Sequence, residues 1–289
     1  MRRILFPALL LCLLLSLGKL TALKTAQHRE QTEFAALAEE TAPVVSSATP
    51  EAKPATRFEL LAERNPDYFA WLTVEGTRIN YPVMHSPTEP DRYLHRNFDG
   101  GESLSGTPYL AADCGPDSDN LLIYGHNMRD GTMFADLLRY QEAEFWRQHP
   151  TLTLETAEGV QSFEIVAAFR ERVHFQSESG VFRYYAYAGA LTEAEFADYA
   201  AQIAACALYQ TGCSPVYGRQ LVTLSTCAYH TENGRFVLVA QKMLPEPEEL
   251  REHFFGFCVK ERITDRGAPS PERDGRPRPD NSSGLPDRR

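Results

Sequence analysis

Two β-rich runs decide the fold: LVTLSTC at residues 221–227 and RFVLVA at residues 235–240. The connection between them contains Asn233-Gly234, a dipeptide typical of turns. Two such runs joined by a short connection predict neighbouring antiparallel strands. Cys227 would then end one strand and Arg235 would begin the next, so the sequence places both side chains at one rim of a sheet.

A guanidinium beside a thiol has two chemical consequences. Its charge favours the thiolate form of the cysteine, and its fixed donors stabilise the oxyanion that forms when a thiolate attacks an amide carbonyl. Taken alone, a cysteine at a strand end is more often a small core residue than a nucleophile. The combination with Arg235 favours Cys227 as a nucleophile and Arg235 as the stabiliser of the oxyanion or substrate.

The nucleophile needs a proton partner, and His126 is the strongest candidate. It follows the apolar run NLLIY at residues 120–124 and is preceded by Gly125. If that run pairs in parallel with the strand that ends at Cys227, the imidazole and the thiol reach the same end of the sheet. His230 is the rival base, but it lies in the predicted connection before Arg235, and we leave the other histidines as structural or surface residues.

The ordinary pKa values of the two groups constrain the mechanism. Free histidine and cysteine titrate near about 6.5 and about 8.5, so most of the pair is neutral at pH 7 unless the site shifts these values. We therefore expect either a pre-formed ion pair or a minor fraction with the correct protonation, in which the imidazolium donates to the leaving amine.

The pattern along the chain predicts a mostly β fold with accessory helices. Short strand-like runs separated by turns favour a closed barrel of about eight strands over alternating βαβ units. The predicted strands are 70–74, 79–83, 108–111, 120–124, 151–155, 163–169, 220–224 and 236–242. Apolar spacing predicts an N-terminal helix over 58–68, a second over 132–140 and a third over 192–209, the last starting with a capping box at Thr192 and Glu195.

The ends of the chain differ from its centre in composition. Residues 1–3 contain two arginines and are expected in the cytoplasm, and residues 4–23 are apolar enough to span about 30 Å as a membrane signal-anchor. A cleaved signal peptide is the alternative. Residues 24–57 are predicted as a stalk that is helical at first, 58–243 as the compact domain, and 244–289 as an extension with a possible helix at 247–259, largely disordered from about residue 263.

Charge and cysteine content limit the partners. The 289-residue chain carries a formal charge of −10, which argues against a nucleic-acid partner because phosphate binding needs a basic surface. The sequence has no CxxC or HExxH motif, so it supports neither a metal nor another cofactor. Export permits disulfides, and pairs among Cys114, Cys206, Cys213 and Cys258 are open.

At these residues the chain resembles the sortases, specifically class B. The resemblance extends over residues 58–243, and TLSTC with Arg235 eight positions later, together with the upstream YGHN, is its most specific part. The matching stretches are WLTVEGT at 71–77, INYPV at 79–83, Tyr93-Leu94, Phe98, NLLIYGHNMRDGTMF at 120–134 and TLSTC at 223–227. The predicted helix over 192–209, inserted before the cysteine strand, is similar to the helix that marks class B.

The resemblance implies a fold and an activity. It implies a sortase-type barrel in which Cys227 attacks the carbonyl of a threonine in a C-terminal sorting signal, with His126 as general acid and base and Arg235 holding the oxyanion. It also implies that an amine of a peptidoglycan precursor or a pilin resolves the thioacyl intermediate, anchoring secreted proteins to a Gram-positive cell wall. Asn127, Ser225 and Thr226 match positions of the pattern and are predicted to shape the substrate groove.

Two alternatives remain open at this stage. A peptidoglycan L,D-transpeptidase also combines cysteine, histidine and arginine, but it usually has glycine before the cysteine and arginine close behind it, whereas Thr226 precedes Cys227 here. A non-catalytic surface or pilus-assembly module is the other. The sorting motif, the acceptor amine and the choice between anchoring and polymerisation are not encoded in any pattern that we recognise.

Overall fold

The computed structural model describes residues 2–41 and 55–244. The helices are α1 (Arg2–Glu40), α2 (Arg57–Arg64), α3 (Ala143–Gln148) and α4 (Glu193–Cys206). The strands are β1 (Tyr68–Val74), β2 (Asn80–Met84), β3 (Tyr109–Leu110), β4 (Asn120–Tyr124), β5 (Thr151–Thr156), β6 (Gly159–Arg172), β7 (Leu221–Cys227) and β8 (Gly234–Lys242). Within these described residues, 3₁₀ helices lie at Arg92–His95, Phe134–Gln141 and Tyr184–Tyr187.

The strands close into a barrel in the order β1-β2-β3-β4-β7-β8-β6-β5, with β5 pairing back onto β1. This confirms the predicted barrel of about eight strands. The pairs β2–β3 and β4–β7 are parallel, and the others are antiparallel. The conditional prediction that the strand before His126 runs parallel to the strand before Cys227 is therefore correct.

The β4–β7 pair lies in the interior of the fold. Every residue of β4 except Tyr124, and every residue of β7 except Cys227, is buried. Because both faces of β7 are covered, its polar side chains need partners inside the protein. The Thr223 hydroxyl donates to Asn120 Oδ1 at 2.8 Å and lies 2.8 Å from the Tyr199 hydroxyl of α4. This network fixes α4 against the outer face of the two strands.

The inserted helix begins as predicted. The Thr192 side chain accepts from the backbone N–H of Glu195, and the Glu195 side chain accepts from the backbone N–H of Thr192, which forms the capping box. Helix α4 buries one stripe, Phe196, Tyr199 and Ile203. The helix thus packs against the barrel wall, and residues 207–220 connect it to β7.

Other helix predictions need correction. The region predicted as a helix over 132–140 is a 3₁₀ helix that starts at Phe134, because Met133 has a positive φ of 55° and bridges to Asn127. The helix predicted over 58–68 ends at Arg64, since the chain already enters β1 at Tyr68. The predicted strand 163–169 is longer in the structure, because β6 pairs with β5 over residues 159–164 and with β8 over residues 163–172.

Helix α1 is one continuous element from Arg2 to Glu40. Within the described residues, one helix, Leu9–Glu40, is long and apolar enough to cross a membrane, and a signal sequence would pass the same test. The leucines from Leu9 to Leu23 are exposed, whereas Phe34 and Leu37 are buried. Phe34 packs edge-on against Tyr81 of β2 with ring centroids 5.3 Å apart, so the second half of α1 contacts the barrel.

Several predictions fall wholly or partly outside the described residues. They include most of the stalk segment 41–56, the helix at 247–259 and the tail. Among the described cysteines, Cys114, Cys206 and Cys213 are free thiols, and the fourth candidate, Cys258, lies outside.

Candidate active site

Cys227 and Arg235 face each other across the rim of the barrel. They are direct partners in the antiparallel β7–β8 ladder, and both are partly exposed. The Ala228 N–H donates to the Gly234 carbonyl at 2.9 Å and closes the connection. A Cβ at position 234 would lie 2.2 Å from the Ala228 carbonyl oxygen, so this close approach needs glycine.

His126 reaches the same rim from the neighbouring strand. In the parallel β4–β7 ladder Tyr124 pairs with Ser225, and two residues further along each chain are His126 and Cys227. The Gly125 N–H continues the pairing by donating to the Ser225 carbonyl at 3.1 Å. Parallel registry therefore brings the imidazole and the thiol to one level of the barrel. The rival base His230 is exposed in the β7–β8 connection.

Two side chains tie the ends of β4 and β7 together. The Thr226 hydroxyl donates to the Gly125 carbonyl at 2.7 Å, and the Asn127 side-chain amide donates to the Cys227 carbonyl at 2.8 Å. Both bonds cross between the segment that carries the imidazole and the segment that carries the thiol. They hold the relative position of the imidazole and the thiol.

The imidazole of His126 has a defined tautomer. Its Nε2 lies 2.9 Å from the Leu94 carbonyl oxygen, and because a carbonyl only accepts, Nε2 carries the hydrogen. In the neutral ring the lone pair is then on Nδ1. The His95 ring stacks on the His126 ring with centroids 5.6 Å apart.

The surroundings of His126 favour its neutral form. Burial is the largest cause that lowers the pKa of His126 below 6.5, and the charge of His95 lowers it further. The hydrogen bond to the Leu94 carbonyl opposes both effects. At pH 7 the imidazole is therefore mostly uncharged.

Comparison with known proteins assigns the family. No protein-family model matches the chain. Sortase B of Listeria monocytogenes is 32% identical over 199 residues, which cover 66% of this chain and 77% of that protein. The chain belongs to the sortase B family.

Solved structures agree with this assignment. Clostridium perfringens sortase B is 30% identical with a TM-score of 0.57, over 64% of this chain and 98% of that structure. A Staphylococcus aureus sortase B–substrate complex has the same fold with a TM-score of 0.63 at 20% identity, over 76% of this chain and 98% of that structure. Sortase B membership implies a cysteine transpeptidase and decides against the L,D-transpeptidase alternative.

The residues predicted to shape the groove occupy two kinds of position in this sortase. Ser225 and Thr226 are buried, and the Ser225 hydroxyl lies 2.8 Å from the Tyr184 hydroxyl. Asn127 is partly exposed and bonded to the carbonyl of Cys227. We expect Ser225 and Thr226 to act on a substrate through the position of the strand end rather than by direct contact.

Sequence reasoning missed the tyrosines around the site. Burial raises the pKa of Tyr184 to about 12, and the nearby charge of Arg235 opposes this shift. Burial likewise raises the pKa of Tyr109 and of Tyr124 above the ordinary value of 10. All three phenols stay neutral, and all three lie near enough to the guanidinium of Arg235 for its charge to act on them. Tyr124 ends β4, and this position at a strand terminus is the signal that could have found it.

The sequence also missed the contacts of His126. Leu94 lies 32 residues away along the chain. Every residue has a backbone carbonyl, so the residue type does not indicate which carbonyl accepts from the imidazole. His95 was left as a structural or surface residue, although its ring stacks on the imidazole.

Proposed function

We propose that this sortase cleaves a C-terminal sorting signal after threonine and transfers the new carboxyl group to a cell-wall amine. The observation that carries the proposal is the register of three adjacent strands. The β4–β7 register brings His126 to the level of Cys227, and Cys227 pairs with Arg235 across β7 and β8. The proposed nucleophile Cys227, the proton carrier His126 and the cation Arg235 thus lie at one rim of the barrel. A substrate complex of the S. aureus neighbour is consistent with binding of a sorting signal.

The first half-reaction forms a thioester. The Cys227 thiolate attacks the threonine carbonyl carbon, and Arg235 donates hydrogen bonds to the resulting oxyanion. The C–N bond then breaks, and the leaving amine takes a proton from the imidazolium of His126. Because burial lowers the pKa of His126, we favour a minor protonated fraction of the enzyme as the active form over a fully formed ion pair.

The second half-reaction restores the enzyme. The acceptor amine attacks the thioester carbonyl, His126 takes a proton from this amine, and the C–S bond breaks to release the Cys227 thiolate. The chemistry requires an acceptor amine. We propose that a peptidoglycan precursor or a pilin supplies it, and the structure favours neither source. Both steps as proposed balance with these side chains and the acceptor amine.

The proposal includes the arrangement at the cell surface. Residues 1–3 would be cytoplasmic, residues 4–23 would span the membrane, and residues 24–57 would link the span to the catalytic domain at 58–243. This arrangement is supported by the long apolar helix with exposed leucines. The extension at 244–289 has no assigned role.

The test is cleavage of a panel of sorting peptides by the full-length chain in detergent micelles, with NPxTN-like and LPxTG-like sequences. We expect one class to be cleaved, and Cys227→Ala to reduce turnover by about 10³-fold or more. Cys213→Ala removes an exposed thiol elsewhere and is the matched control, expected to match the wild type. If the wild type cleaves no sorting peptide and Cys227→Ala behaves identically, the non-catalytic module is the better explanation. Equal and measurable cleavage by both would remove Cys227 from the mechanism.

A further inference from the structure

The second half of α1 is docked through a buried carboxylate. Glu30 is 9% exposed. It accepts the backbone N–H of Leu104 at 2.9 Å and that of Ser105 at 3.3 Å, one with each carboxylate oxygen. A buried charge is retained only when hydrogen bonds compensate its desolvation. Glu30 therefore fixes the backbone of this loop against α1.

The loop held by Glu30 touches the carbonyl that binds the imidazole. Gly106 has a φ of +61°, and a Cβ there would lie 2.3 Å from the Leu94 carbonyl oxygen. The next residue, Thr107, donates its N–H to the Tyr93 carbonyl at 3.0 Å. The Leu94 carbonyl is thus confined between Gly106 on one side and the Nε2–H of His126 on the other.

A second connection reaches the backbone of His126. The Tyr81 hydroxyl lies 3.4 Å from Gln31 Oε1 of α1 and accepts the Met133 N–H at 3.2 Å. The residue after Met133, Phe134, donates its N–H to the His126 carbonyl at 2.8 Å. Glu30 and Gln31 are consecutive residues of α1. Glu30 is thus connected through the loop to the acceptor of the His126 ring, and Gln31 is connected through Tyr81 to the main chain of His126.

We propose that α1 is a positioning element for the catalytic histidine, with Glu30 and Tyr81 as its positioning residues. The inference rests on the proposed role of His126 in the reaction. Loss of the Glu30 carboxylate frees the loop that confines the Leu94 carbonyl, so the Nε2–H bond loosens and Nδ1–H tautomers become populated. Substrate binding at the rim is affected less than proton transfer.

The test compares variants of the full-length chain in detergent micelles. In ¹⁵N-histidine-labelled protein, with His126 assigned by the signals lost in His126→Gln, we expect the Nε2–H tautomer in the wild type and a mixture in Glu30→Ala. We expect kcat to fall about tenfold, as for a small misplacement of a catalytic group, with KM within about twofold. Tyr81→Phe keeps the ring and is expected to lower kcat in the same way. Glu39→Gln neutralises an exposed glutamate of the same helix and should match the wild type.

The outcomes separate this inference from the proposed function. An unchanged His126 tautomer and an unchanged kcat in Glu30→Ala, with His126→Gln inactive, would overturn the positioning role alone. Turnover by His126→Gln at the wild-type rate would overturn the proposed function instead. If Glu30→Ala does not fold, the test uses Glu30→Gln, which keeps one acceptor oxygen. We expect a smaller fall in kcat for this variant. A kcat equal to that of the wild type would contradict the inference.

Discussion

The hydroxyl of Thr226 offers a sharp test of how the reactive groups are held together. Thr226 is 2% exposed, and its hydroxyl donates to the Gly125 carbonyl at 2.7 Å. In Thr226→Val a methyl group of similar size replaces the hydroxyl, so packing is kept and only the hydrogen bond is lost. Because Gly125 is only partly buried, water can reach its carbonyl, and we expect the loss of this hydrogen bond to cost about 0.5–1.5 kcal/mol. For a domain of this size that corresponds to a fall in Tm of about 1–6 °C.

The same variant is expected to lower activity. The lost bond joins the residue before His126 to the residue before Cys227, so the two groups gain freedom relative to each other. A misplacement of about 1 Å can cost about 10²-fold in rate, and for this smaller gain in freedom we expect kcat to fall about tenfold with KM changed little.

Thermal unfolding followed by circular dichroism and steady-state cleavage of the preferred peptide measure the two effects on the full-length chain. Thr73→Val is the matched control, because Thr73 is half-buried in β1 and its hydroxyl makes a solvent-exposed hydrogen bond to Asn80 Oδ1 at 3.1 Å. Its stability should stay within about 0.5 kcal/mol of the wild type. If Thr226→Val shows the Tm and kcat of the wild type, the bond between the two strand ends does not hold the site.

Two further predictions concern charge at the site. Arg235→Lys is expected to reduce kcat/KM for peptide cleavage by about 10²–10³-fold, because a point charge does not reproduce the fork of donors; wild-type cleavage would remove Arg235 from the mechanism. The acid limb of the pH profile of kcat/KM should have its midpoint below 6.5, since burial lowers the pKa of His126. His95→Phe keeps a stacked ring but removes a charge that lowers this pKa, so the acid limb should move to higher pH; a limb that stays in place would contradict the assigned cause.

Much of the barrel could be predicted because its signals are local. Most strands contain a short apolar or alternating run, and the capping box at Thr192 marks the start of α4 within four residues. Cys227 and Arg235 flank one short connection, so their antiparallel pairing follows from the sequence near them. The prediction that His126 lies at the same end of the barrel as Cys227 required the assumption that their two strands are parallel. The β4–β7 pairing confirms that assumption.

The remaining features depend on contacts that are distant along the chain. The 3₁₀ helix at Phe134–Gln141 starts late because the positive φ of Met133 is held by the Tyr81 hydroxyl, 52 residues away. The acceptor of the His126 ring is a main-chain carbonyl, and the partners of Glu30 are main-chain N–H groups. Any residue type supplies such groups, so no pattern in the sequence identifies them.

The central claim is that Cys227 forms the covalent intermediate at this rim. The most direct measurement is mass spectrometry of the full-length chain, quenched in acid during turnover of its preferred peptide without an amine acceptor, followed by digestion to locate the adduct. The account predicts an added acyl group that ends in threonine, attached to the fragment that contains Cys227. Processed peptide together with an unmodified Cys227 at every time point, or an adduct on another cysteine, would contradict it.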